Sequence, residues 1–140
     1  MRTQILLPAL LAGLLAGLAP SFPVQAHDRA DAETVTPLQQ RPLPGLAGKQ
    51  AVLALVHYAP GQASEAHLHA GPVFAYVLEG EVVSQLDGEP PVTYKAGQSW
   101  YEAPRRPHLV SRNASADKPA KLLAWLILDE GAPVKEALPR

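Results

Sequence analysis

Three histidines and one glutamate have side chains that can bind a metal ion or move a proton. His67 and His69 are separated by one residue, and His108 comes later, six residues after Glu102. Residues two apart on a β-strand point to the same face, so His67 and His69 are predicted to project together. Such a pair suits two neighbouring positions on one ion, and imidazole binds Zn, Cu, Fe and Ni. Glu102 adds a carboxylate, as a further metal ligand or as a proton-transferring base.

Each of these residues also has a simpler interpretation that involves no metal. A His-x-His pair is also found on solvated surfaces, and Glu102 would then be a surface carboxylate near Arg105 and Arg106. Glu65 would share the odd-numbered face with the histidine pair if the strand begins that early, and it is a weaker candidate ligand. His57 alternates with apolar residues and is more typical of a hydrogen-bonded core histidine than of a ligand. Four aromatic residues lie near these positions, and two are predicted to face inward: Phe74, Tyr76, Trp100 and Tyr101.

Short apolar runs separated by Gly and Pro supply the elements that must position these side chains. Spacing of about ten residues with turn residues between the runs is typical of an all-β sandwich or barrel. Gly80 stands between two such runs, where a tight hairpin turn needs a positive φ. The predicted strands are Val52–Tyr58, Val73–Leu78, Val82–Leu86, Val92–Lys95, Leu109–Ser111 and Leu122–Leu128.

The first residues have the layout of a secretory signal peptide. Arg2 precedes an apolar run over residues 5–18, and residues 24–26 form a small-x-small cleavage signal. We therefore predict residues 1–26 as signal peptide, 27–48 as an N-terminal tail and edge segment, 49–130 as the barrel and 131–140 as a C-terminal tail. Export places the mature protein in the periplasm or outside the cell, without stable membrane association after cleavage.

Composition bears on the partners of this chain and on the source of its stability. The chain of 140 residues carries a net charge of −1, with its basic residues scattered, which gives no electrostatic basis for nucleic-acid binding. It contains no cysteine, so no disulfide stabilises the exported domain. Stability must then come from packing, to which a bound metal could add.

The motif spacing resembles the paired motifs of the cupin superfamily. The pattern is Gly61-x5-His67-x-His69-x10-Gly80, followed by Gly97-x10-His108. The resemblance implies a small single-domain, jelly-roll-like double-stranded β-helix barrel. It also implies that His67, His69 and His108 line the interior and bind a divalent transition metal, whether Zn, Fe, Mn, Ni or Cu.

The sequence departs from the cupin pattern at the usual glutamate and in the second motif. Val73 occupies the position of the usual glutamate of the first motif, so the pattern does not identify a fourth protein ligand, and three histidines with open positions would still form a catalytic-type site. Ala103 and Arg105 stand where the second motif has Pro and Gly. Glu102 lies at a normally inward, apolar position, where a carboxylate is costly unless it is paired or metal-bound. It is the candidate replacement ligand.

Two function classes remain open from the sequence. One is a metal-dependent enzyme with dioxygenase- or isomerase-type chemistry on a small molecule, in which Glu102 is catalytic. The other is a non-catalytic module that binds or senses a small ligand or a metal. The resemblance also favours a homodimer, with the apolar segment Val52–Tyr58 packing against a partner.

Overall fold

The computed structural model describes residues 33–139, which form antiparallel β-sheets without an α-helix among them. The predicted all-β barrel is confirmed. The predicted signal peptide and its cleavage site lie outside the described residues. Within residues 33–139 no helix is long and apolar enough to cross a membrane.

Eleven strands make up the described part of the chain. The six predicted runs all fall within strands, and the further strands are mostly short. In chain order the strands are β1 (Thr34–Pro42), β2 (Lys49–Tyr58), β3 (Ala63–Ser64), β4 (His67–Leu68), β5 (Val73–Glu79), β6 (Glu81–Leu86), β7 (Val92–Lys95), β8 (Ser99–Glu102), β9 (His108–Asn113), β10 (Ala120–Asp129) and β11 (Glu136–Ala137).

The strands divide between two sheets that enclose an apolar interior. One sheet has the order β1-β2-β10-β5-β8, and the other has the order β11-β4-β9-β6-β7 with β3 paired to β9. One core cluster includes Tyr58, Val77 and Leu122, and a second includes Val73 and Leu126. Buried residues alternate with exposed ones along β5, as expected of a strand with one buried face.

Gly80 adopts the positive φ that its position predicted, at 72°. A Cβ at this residue would lie 2.6 Å from the carbonyl oxygen of Pro119, so only glycine fits. The prediction of a hairpin here is wrong, however, because β5 pairs with β10 and β8 whereas β6 pairs with β7 and β9. Gly80 instead carries the chain from one sheet to the other.

Both predicted tail regions contribute paired strands. Thr34–Pro42 forms the edge strand β1 against β2, and Glu136–Ala137 forms β11 against β4. Paired strands therefore extend beyond the predicted barrel limits of 49–130. Because β2 lies between β1 and β10, its backbone edge is not available to a partner. The homodimer stays a prediction, and β2 can contribute to it only through an outward side-chain face.

Candidate metal centre

The structure brings His67, His69 and His108 together inside the barrel. His67 begins β4 and His108 begins β9, and these two residues are direct partners in the antiparallel register. His69 follows β4 immediately, and all three residues are buried. One ring nitrogen from each lies within 4.8 Å of the others, a grouping that suits a single ion. The pairing of β4 with β9 therefore brings His108, which is far from His67 and His69 in sequence, into one cluster with them.

Backbone carbonyls orient two of the imidazoles. His67 Nδ1 donates a hydrogen bond to the carbonyl oxygen of Glu65 at 2.8 Å, and His69 Nδ1 donates one to the carbonyl oxygen of Val134 at 2.5 Å. Each bond places the proton on Nδ1 and leaves the Nε2 lone pair available to a metal. The C-terminal segment before β11 therefore takes part in building the site.

A buried serine holds the third imidazole. The Ser84 hydroxyl lies 2.8 Å from His108 Nε2, which leaves Nδ1 of that ring facing the cluster. The pKa of His67 is lowered to about 4, mainly by burial and to a lesser extent by the neighbouring His69 and His108, against the opposing hydrogen bond to Glu65. His67 is therefore neutral at physiological pH, the form that binds a metal.

Glu102 reaches the same cluster from the end of β8. It is only 3% exposed, and its register partner across the β5–β8 pair is Val73. Its Oε1 accepts a hydrogen bond from Trp100 Nε1 at 2.8 Å. Its Oε2 lies 3.3 Å from His108 Nδ1 and 3.5 Å from His69 Nε2. The carboxylate thus faces two of the three imidazoles.

Two buried polar atoms at this point lack a hydrogen-bond partner. Glu102 Oε2 and His108 Nδ1 approach each other without hydrogen-bond geometry, and no other described group satisfies them. Such atoms are rare because each costs desolvation free energy. A cation between them would satisfy both, so the residues present fit the divalent transition metal that the cupin resemblance implied.

Electrostatics keep Glu102 ionised. Burial acts to raise the pKa of its carboxyl group, but the nearby His108 and His69 and the Trp100 N–H outweigh burial, so the pKa lies below its usual value. The surface interpretation of Glu102 is not what the structure shows. Arg106 pairs instead with Glu89 at 2.6 Å.

The weaker candidates do not join the cluster. Glu65 is exposed and contributes its backbone carbonyl to the site. His57 lies on the outward face of β2, because the even-numbered residues of that strand line the interior. The expectation that two of four aromatic residues face inward is also wrong. Trp100 is buried, whereas Phe74, Tyr76 and Tyr101 are exposed.

A cavity of about 350 Å³ adjoins the cluster. The three histidines and Glu102 form part of its wall, and most of the remaining wall is apolar, including Val56, Ala75, Leu122 and Leu126. Sequence reasoning missed Ser84 and Glu33, which also contribute polar groups to the site or the cavity. A serine amid the apolar residues of β6 was the signal available for Ser84. The cavity suits a small molecule that is apolar over most of its surface.

Comparison with known proteins agrees with this architecture. The protein TT1209 from Thermus thermophilus is 30% identical, with 69% of this chain and 84% of that chain covered and a TM-score of 0.56. The Cupin_2 domain of an XRE family transcriptional regulator from Enterobacter cloacae is 27% identical, with 78% and 99% covered and a TM-score of 0.54. The DMSP lyase DddQ from Ruegeria pomeroyi shares the fold at 18% identity, with 79% and 54% covered and a TM-score of 0.62.

A search of curated proteins gives no match. The cupin domain family model matches residues 54–126, which is more than half of the chain. That range contains the whole histidine cluster and Glu102. With the double-stranded barrel and the two motifs in register, the match shows that this chain belongs to the cupin domain family.

Proposed function

We propose that this cupin binds one divalent transition metal through His67, His69 and His108 and acts on a small, mainly apolar molecule, as an enzyme of the dioxygenase or isomerase type. The observation that carries the proposal is the pair of buried, unsatisfied atoms, Glu102 Oε2 and His108 Nδ1, beside the other two imidazoles. A metal bound there would supply Lewis acidity to a coordinated oxygen of the ligand.

Glu102 is the proposed catalytic residue and a candidate fourth ligand. Its lowered pKa keeps it ionised, the form in which it can bind a metal or act as a weak base. Trp100 fixes Oε1, which leaves Oε2 as the oxygen available to a proton or to the metal. Burial of this group beside a mainly apolar cavity wall strengthens its electrostatic interactions. The carboxylate is therefore positioned and charged for general-base chemistry.

The cavity indicates the class of ligand. The N-terminal sequence indicates the compartment in which the protein acts. A space of about 350 Å³ with a mainly apolar wall favours a small organic molecule. The shared fold with a DMSP lyase supports small-molecule chemistry. The predicted signal peptide supports action in the periplasm or outside the cell. These three points together define the proposed setting of the reaction.

Metal analysis of the protein purified from its native compartment tests the site. We expect one equivalent of a divalent transition metal in the wild type and a strong loss in each of the variants His67→Ala, His69→Ala and His108→Ala. His57→Ala is the matched control, because His57 lies on the outer face. Equal metal content in all four variants would refute the proposed ligand set.

A ligand-binding module is the second candidate. It is favoured by the 27% identity to the cupin domain of a transcriptional regulator, which this chain matches over 99% of that domain. The metal-loaded protein and its Glu102→Gln variant should be incubated with a native small-molecule extract, followed by mass spectrometry. Conversion of a component by the wild type alone supports the enzyme. Retention of an unchanged component by both supports the binding module.

A further inference from the structure

A second carboxylate, outside the metal cluster, lines the same cavity. Glu33 lies immediately before β1, and its side chain is only 3% exposed. Its Oε1 accepts a hydrogen bond from Lys135 Nζ. Its Oε2 is buried and has no hydrogen-bond partner within residues 33–139. Among the described residues, it is the buried side-chain acceptor outside the metal cluster that remains unsatisfied.

Strand pairing and the C-terminal segment place Glu33 close to the candidate metal centre. Thr34 pairs with His57, so Glu33 lies beside the end of β2. Its partner Lys135 directly follows Val134, whose carbonyl oxygen holds His69. A ligand in this cavity can therefore contact Glu33 while it remains near the histidine cluster.

An ion pair with Lys135 does not account for the second oxygen. The Lys135 side chain is 42% exposed and satisfies Oε1 alone. A buried carboxylate oxygen without a hydrogen bond is costly, because it has lost its water without a replacement. A carboxylate has no proton to donate when ionised, so only a hydrogen-bond donor or a cation can complement it. An anionic group at this position would be repelled.

We propose that Glu33 is a ligand-binding residue whose Oε2 accepts a hydrogen bond from a hydroxyl or ammonium group of the small molecule. The ligand is then apolar over most of its length and carries an O–H or N–H donor at the Glu33 end. This inference extends the proposed function by naming the ligand class of the same cavity. It does not require a bound metal, so the two proposals can fail separately.

The test uses probes that differ in one donor group. Hexan-1-ol and methyl pentyl ether have the same formula, but only the alcohol has an O–H, and hexylamine supplies an ammonium. Dissociation constants are measured by NMR titration of the full chain as purified and again after removal of metal by a chelator. We expect the alcohol, the amine or both to bind about tenfold more tightly than the ether, the scale for a hydrogen bond to a charged acceptor. The tighter of the two identifies the donor.

Two variants separate ligand binding from a purely structural ion pair. Glu33→Ala should remove the preference over the ether, whereas Lys135→Ala should keep it because the carboxylate remains. Equal binding of all three probes to the wild type would overturn the proposal, as would loss of the preference in Lys135→Ala as well. Should Glu33→Ala fail to fold, Glu33→Gln tests the charge, and a reduced preference for hexylamine is expected. Absence of metal from the purified protein would contradict the metal proposal, and a preference for the donor probes in that same protein would still uphold Glu33.

Discussion

Replacement of Glu102 by Gln is the sharpest test of the carboxylate in the candidate metal centre. The amide oxygen of Gln can still accept the Trp100 hydrogen bond, so the fold should persist while the charge is lost. Loss of a group that supports a metal site costs about 10–100-fold in affinity. Because Glu102 is only 3% exposed, water screens its charge little, and we expect a loss near the upper end of that range.

The double variant Val73→Glu/Glu102→Gln should recover most of that loss. Val73 and Glu102 are direct partners across the β5–β8 pair, so their Cβ atoms are about 4.5–5.5 Å apart on the same face. Both residues line the cavity, which leaves space for the longer side chain at position 73. The carboxylate would then reach the imidazoles from the neighbouring strand, and we expect affinity within about tenfold of the wild type on the same scale.

Competition against a chromophoric chelator measures the metal affinity, and thermal melting of the metal-free variants checks the fold. Glu65→Gln is the control, because Glu65 is an exposed acid near the histidine pair in sequence and should leave the affinity unchanged. Unaltered affinity in Glu102→Gln would refute the assignment of Glu102 to the site. A double variant that folds but binds as weakly as Glu102→Gln would refute the reasoning from strand register.

Three further predictions concern strain, pH and export. Arg105 has a φ of 59° where the cupin pattern has glycine, so Arg105→Gly should raise the free energy of unfolding by up to about 1 kcal/mol. A clear loss in denaturant melts would contradict this. In the metal-free protein the pKa of His67 falls from 6.5 to about 4 on folding. The unfolded chain binds the proton more readily, so stability should decrease as the pH drops through that window, and less so in His67→Gln. Mass spectrometry of the exported protein should find His27 at its N-terminus, and Met1 there would refute cleavage.

The fold was predictable because its signals are local. Alternation of apolar residues and turn residues such as Gly80 arise within a few positions, and the longer strands from β2 onward followed from them. The nine-residue β1 lay in the predicted tail and edge segment. The two-residue strands β3, β4 and β11 are too short to show a period. The pairing of β11 with β4 is a tertiary contact, and no sequence pattern within residues 131–140 predicts it.

The sequence predicted which side chains form the candidate site, but it did not predict the groups that orient those side chains. His67 and His69 could be assigned to one face because strand geometry fixes it. The acceptors that orient their rings are the carbonyl oxygens of Glu65 and Val134, and a backbone carbonyl has no residue-type signature. Glu33 was missed for a related reason, since its burial depends on how β1 and the segment around Lys135 meet at the cavity.

The position of the carboxylate shows why sequence motifs and spatial sites differ. Along the sequence, Val73 is a departure from the cupin pattern and Glu102 is unrelated to it. In the antiparallel register the two residues are direct partners, so their side chains share one stretch of the barrel wall. A metal ion can be bound by any oxygen that lies at the right position, whichever strand supplies it. A carboxylate at position 102 can therefore reach the same part of the barrel interior as a carboxylate at position 73 would.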